Sequence, residues 1–186
     1  MLFLFTSCRK KVVLTDDIAD QKVIPQMQAD SITTIISDSG IIRYRLFAKK
    51  WKVYDKADTP YWDFPEGLHF ERFDEEYNID AQIDCRKAIY YQKMEIWKLN
   101  DSVRAINLQG EQFETEELYW NQGTERVYSD SAIRIIQEDK IINGIGFNSN
   151  QTFTKYEIRN PYGIIPVDPE EEPDTVAADS TAGNKD

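Results

Sequence analysis

The sequence predicts an all-β, antiparallel domain, and three observations point there. Apolar residues recur at every second position in several stretches, the period of a strand with one buried face. Turn residues punctuate those stretches at strand-like spacing: Asp38-Ser39-Gly40, Thr59-Pro60, Pro65-Glu66-Gly67, Asn100-Asp101, Asn121-Gln122-Gly123, Glu138-Asp139 and Asn160-Pro161. No stretch sustains the i, i+3, i+4, i+7 apolar pattern of a helix for about three turns.

Taken in order, the chain opens with an apolar run, Leu2 to Phe5, followed by Thr6, Ser7 and Cys8. This reads as the end of a bacterial lipoprotein signal (residues 1–8), in which small residues precede the cysteine that receives the lipid. A complete signal also needs a basic region and about 7–15 apolar residues. The expectation is therefore that the true start lies upstream, with Cys8 the lipidated residue. Arg9, Lys10 and Lys11 would favour an anionic membrane surface by about 1 kcal/mol each. Residues 9–30 are polar and mixed and read as a tether. Residues 31–165 form the domain.

Inside the domain, Ile42, Tyr44, Leu46 and Ala48 alternate with Arg43, Arg45 and Phe47. Lys49-Lys50 then shifts the phase, and Trp51 and Val53 continue on the other parity, which predicts a β-bulge inside a long strand. Ile79, Ala81, Ile83 and Cys85 alternate with Asp80, Gln82 and Asp84; Ile106 and Leu108 alternate with Ala105, Asn107 and Gln109. Ile133 and Ile135 flank Arg134, and Tyr156 and Ile158 flank Glu157. A weak repeat links residues 83–88, 113–118 and 127–132. Each starts apolar or aromatic, has a small Cys85, Thr115 or Ser129 two residues on, and ends in Ala or Leu. Repeated strands of this kind suggest stacking around one apolar interior, as in a solenoid or an open jelly roll.

The formal charge is −11, from 33 acidic and 22 basic residues. That argues against nucleic acid, whose phosphates need a basic footprint. Residues 168–186 carry seven acidic side chains against Lys185, so 166–186 read as a disordered, solvating tail. With one histidine, His69, and two cysteines, metal sites built on His and Cys clusters are nearly excluded, and no metal or cofactor is expected. Cys85 is expected to be a buried strand residue.

In order and spacing, several segments resemble the LptC family, the periplasmic component of the lipopolysaccharide export machine, from about Thr33 to Ile165. Gly40-Ile41-Ile42-Arg43-Tyr44-Arg45-Leu46-Phe47-Ala48 resembles that family's first long strand. Tyr54 with Tyr61-Trp62-Asp63-Phe64-Pro65 resembles its next aromatic-then-proline element. Residues 79–88, Leu108-Gln109-Gly110, Glu114-Thr115 with Leu118, Ser129-Asp130-Ser131-Ala132 and Ile142-Asn143-Gly144-Ile145-Gly146-Phe147 resemble the later strands.

The resemblance implies an open, curved, V-shaped β-jellyroll of two twisted sheets, without catalytic activity, whose apolar interior carries lipid acyl chains. The period-two faces would supply the lining: Leu46, Ala48, Leu68, Phe70, Ala81, Ile83, Ile106, Leu108, Leu118, Ile133, Ile135 and Ile158, with Trp62 and Phe64 near the lipid path. It also implies edge-to-edge stacking of sheets into a bridge. The first strand would face subunits of the inner-membrane lipopolysaccharide ABC transporter. The last strand, with Tyr156, would face an LptA-like periplasmic bridge protein. Gly40 and Gly144 match family glycines near such contacts. A lipidated Cys8 would hold the protein at the inner membrane, in the periplasm, where many family members use a transmembrane helix. A rival reading is a surface or periplasmic lipoprotein with an adhesive β-sandwich, which would need exposed aromatic residues on an outer face. A glycosidase with paired carboxylates is a third, without a pocket to place it.

Overall fold

The computed structural model describes residues 21–38 and 40–163. Cys8, the basic residues after it and the acidic tail lie outside that range. The described chain is a meander of eleven strands: β1 (Met27–Asp38), β2 (Ile41–Tyr54), β3 (Tyr61–Phe64), β4 (Leu68–Phe73), β5 (Ile79–Cys85), β6 (Lys87–Tyr91), β7 (Ile96–Asn107), β8 (Gln112–Asn121), β9 (Arg126–Ile136), β10 (Ile141–Asn150) and β11 (Tyr156–Tyr162). No helix occurs among the described residues, and all pairings are antiparallel. The all-β expectation therefore holds. The stretch read as a tether is shorter than expected: β1 starts at Met27 and pairs along β2 from Val53 to Ile41.

Strands β3 and β4 are two parts of one run interrupted at residues 65–67, and β5 and β6 are interrupted only at Arg86. Residues 44–48 of β2 pair with β4, while residues 52–54 pair with β3. Residues 104–107 of β7 pair with β5, and residues 96–100 pair with β6. The interruptions line up across the sheet. Ser31 has a φ of 53° where β1 passes Lys49. Asp101 and Ser102 have φ of 67° and 56° where the β7 and β8 register shifts. The register also shifts between Thr115 and Tyr119, and again at Gly146 (φ 83°). One crease thus crosses the strands and divides the sheet into two layers. The Lys49-Lys50 phase change in the sequence is its signature on β2.

The three repeated segments mark where β5, β8 and β9 reach the crease, rather than successive turns of a solenoid. A bend opens ladder hydrogen bonds, and a buried backbone group left unpaired costs about 1–3 kcal/mol. In two of the segments the small polar side chain fills that gap. Thr115 Oγ1 donates to the Ala132 carbonyl at 2.8 Å, and Ser129 Oγ to the Glu117 carbonyl at 2.7 Å. Cys85, of the remaining segment, is buried at the same bend.

Folded at the crease, the layers press their apolar faces together. Phe70 and Tyr44 of the first layer meet Trp120 of the second at ring-centroid distances of 5.0 and 5.3 Å, and Phe70 meets Trp97 at 5.8 Å. Phe113 of the first meets Phe147 and Tyr156 of the second at 5.6 and 5.2 Å. Among the described residues two strands keep a free edge: β1 pairs with β2 alone, and β11 with β10 alone.

Candidate functional site

The space between the layers gathers most of the expected lining. From the first layer Leu46, Ala48, Leu68, Phe70, Ala81, Ile83, Ile133 and Ile135 are buried in it. From the second, Phe64 and Leu118 are buried, and Trp62 and Ile158 are half-buried against the same cluster. Trp62 sits edge-on to Trp51 at 5.1 Å and against Tyr90 at 5.0 Å.

Two expected residues are not there. Ile106 is half-exposed and Leu108 is 62% exposed, both away from the interior. The inner face of β7 carries Val103, Ala105 and Asn107 instead. The physical reason is that both parities of this strand end are apolar. A buried polar residue, Asn107, holds the inner position because its Nδ2 donates to the Phe153 carbonyl at 3.0 Å. That acceptor comes from a distant turn, so period alone could not select the face.

The sequence reading also missed Trp97, Trp120, Phe113, Phe147 and Phe153, all in the core. Trp97 alternates with Leu99, and Phe113 opens one of the repeated segments, a signal that was present. Phe153 has no periodic signal, because it lies in the turn between β10 and β11. The interior is nearly full. A small cavity of ≈ 10 Å³ lies in it, walled by Tyr44, Phe70, Ala81, Ile83, Trp120 and Gln151 among others. Trp97 and Trp120 keep buried indole N–H groups with no acceptor among the described residues.

The expected interface residues separate. Gly40 lies in the exposed β1–β2 turn with a φ of 83° and open space around it. Gly144 is not on an edge. It lies under β11, where a Cβ would run into the Ile158 side chain and come 3.1 Å from the Asn160 carbonyl. Tyr156 belongs to the edge strand β11, yet its ring turns inward onto Phe113, and its hydroxyl accepts from Gln137 Nε2 at 3.0 Å.

The outer face of β2, β4 and β5 holds a charged cluster. Glu71 accepts from Arg45 Nε at 2.5 Å, His69 Nδ1 lies 2.7 Å from Asp84, and the Arg45 guanidinium lies over the rings of Phe47 and Phe73. Beside it a groove of ≈ 870 Å³ runs along the crease, bordered by Lys49, Glu66, Arg86, Lys87 and Asp101. Among the described residues no group of three or more His, Cys, Asp or Glu side chains could hold a metal ion. No helix among them is long and apolar enough to cross a membrane.

The chain was compared with known families and proteins. The model of the family described as LptC, lipopolysaccharide-assembly, LptC-related, matches residues 5–160. No curated protein matches the chain.

Proposed function

Because the chain belongs to the LptC-related lipopolysaccharide-assembly family, a family of transport components rather than enzymes, we propose that it holds the acyl chains of lipopolysaccharide between its two layers and passes the lipid along a periplasmic bridge. The observation that carries this reading is the folded-over sheet itself, whose two apolar faces meet along the whole meander. Acyl chains need an apolar enclosure and no reactive group. The anionic sugar and phosphate end would stay in water, in keeping with the net charge of −11.

The free edges of β1 and β11 suit strand-to-strand contact with neighbouring sheets. In this reading β1 and the Gly40 turn face the inner-membrane transporter, and β11 faces the next, LptA-like bridge protein. Gly144 and the inward ring of Tyr156 then support the β11 edge from behind. A lipid on Cys8 would keep the domain at the inner membrane. The adhesive sandwich is the weaker reading, because Trp97, Trp120 and Tyr90, which it needs outside, are in or against the core.

The test is photo-crosslinking in cells. A photoreactive amino acid at Trp62 or Phe70 should capture lipopolysaccharide, and one at Ile106 or Arg134, on the outer side, should not. Adducts at the outer pair alone would overturn the carrier reading.

A further inference from the structure

Phe153 is fully buried, although it lies in the turn between β10 and β11. Its ring inserts between the layers, 5.1 Å from Phe113 and 6.3 Å from Phe147. Its φ of 56° lies in the left-handed region, which an aromatic residue adopts only under constraint from its surroundings.

The turn is built as a unit. Asn150 Oδ1 accepts from the backbone N–H of Thr154 and Lys155 at 3.0 and 3.1 Å. Asn150 Nδ2 donates to the hydroxyls of Thr152 and Thr154, and Phe153 N–H to the Asn150 carbonyl at 3.1 Å. By contrast, few bonds tie this unit to the opposite layer. Tyr44 donates its hydroxyl to Gln151 Oε1 at 3.2 Å, and Asn107 Nδ2 donates to the Phe153 carbonyl at 3.0 Å.

The same latch borders a small cavity of the interior, walled by Tyr44, Trp120 and Gln151. Trp120, which lines it, carries a buried indole N–H with no acceptor among the described residues. Such a donor suits an ester carbonyl or a hydroxyl on an otherwise apolar chain.

We propose that the space Phe153 fills, between Phe113, Phe147 and the Tyr44–Gln151 latch, is an acyl-chain seat, and that the 151–154 turn is its resident plug. This rests on the carrier reading above. Exchange of one apolar occupant for another leaves the buried area of the seat nearly unchanged. It also releases the strained backbone of Phe153. The turn keeps its own hydrogen bonds as it leaves, so swinging out does not unfold it.

The test uses the full chain with Cys8→Ser and Gln151→Cys, which keeps Phe153 in place. Alkylation of the new thiol is followed with and without purified lipopolysaccharide, whose binding is measured separately with a fluorescently labelled preparation. The expected result is that lipopolysaccharide speeds alkylation about tenfold, as the turn opens. Phe153→Ala in the otherwise native chain should also bind the labelled lipid more tightly, by about fivefold or more, since its seat is already vacant. Should that variant not fold, Tyr44→Phe in the otherwise native chain, which keeps the ring and removes the latch bond to Gln151, should bind the labelled lipid more tightly than the native chain. Binding of lipopolysaccharide with unchanged alkylation of Gln151→Cys would overturn the plug and leave the carrier reading standing. No binding by the native chain or by either variant would overturn both.

Discussion

Arg159 lies across Gly146 at the crease. Its Nη2 donates to the Ser129 carbonyl at 2.9 Å and also pairs with Asp130, so β11 is fastened to β9 over the top of β10. A Cβ on Gly146 would come 2.7 Å from the Arg159 Cζ, and the glycine's φ of 83° disfavours any other residue. Gly146→Ala should therefore cost about 1–3 kcal/mol, part from the left-handed backbone and part from the displaced guanidinium. In an Arg159→Ala background the same substitution should cost less, because only the backbone share remains. Urea denaturation of the four proteins checks the cycle. Equal costs in both backgrounds would separate the two residues.

Ser129 is fully buried and serves the crease twice. Its hydroxyl donates to the Glu117 carbonyl and accepts from the Ser131 backbone N–H at 3.1 Å. Ser129→Ala removes both bonds, leaving the Glu117 carbonyl only Thr115 Oγ1 at 3.3 Å, and should lower stability by about 1–3 kcal/mol. Ser131→Ala, whose side chain has no such role in the crease, should stay within about 0.5 kcal/mol. A urea titration that finds the two alike would remove the crease role from Ser129.

The crease and the inner faces were legible in the sequence to different degrees. The Lys49-Lys50 phase change located the bend on β2, and Cys85, Thr115 and Ser129 stood out as a repeat before their shared place at the bend was visible. Where one parity is apolar and the other charged, as in β5, the inner face could be read directly. At Ile106 and Leu108 it could not, because Val103 and Ala105 are equally apolar and the deciding contact comes from Phe153. The plug was invisible for the same reason, since residues 151–155 read only as a turn. The corrected face makes its own prediction. Ile106→Ser should change stability by no more than about 0.5 kcal/mol, whereas Ile135→Ala, fully buried, should cost about 2–5 kcal/mol. Thermal melts of the two variants decide it.

Acid should weaken the fold through its paired carboxylates. The hydrogen bond from Lys98, at 2.9 Å, holds Glu117 below the usual carboxylate range. Burial pushes Glu71 up, but hydrogen bonds from Arg45 and His69 outweigh it and leave its pKa lowered. A carboxylate with a depressed folded-state pKa contributes stability that is complete above its unfolded value, near about 4.3. That contribution is lost as pH falls through the folded-state value. Asp63 acts in the opposite sense, since burial raises its pKa. The urea midpoint should hold level down to about pH 5 and then fall, and Glu117→Gln should flatten the fall. A midpoint that rises on acidification would show that carboxylates such as Asp63 dominate.

Cys85 tests the crease from the inside. It closes β5 in the first layer, one residue before the Arg86 interruption, and it is buried. Burial, with a smaller push from the Asp84 charge, raises its thiol to about 12. Alkylation requires the thiolate, and at pH 8 such a thiol is ionised about one part in ten thousand. Iodoacetamide should therefore leave Cys85 unmodified in the folded protein and modify it at the rate of an ordinary cysteine in urea. The onset of modification should coincide with global unfolding, because Cys85 packs in the main apolar cluster. Modification well below the unfolding midpoint would mean that the two layers part at the crease before the rest of the sheet comes apart.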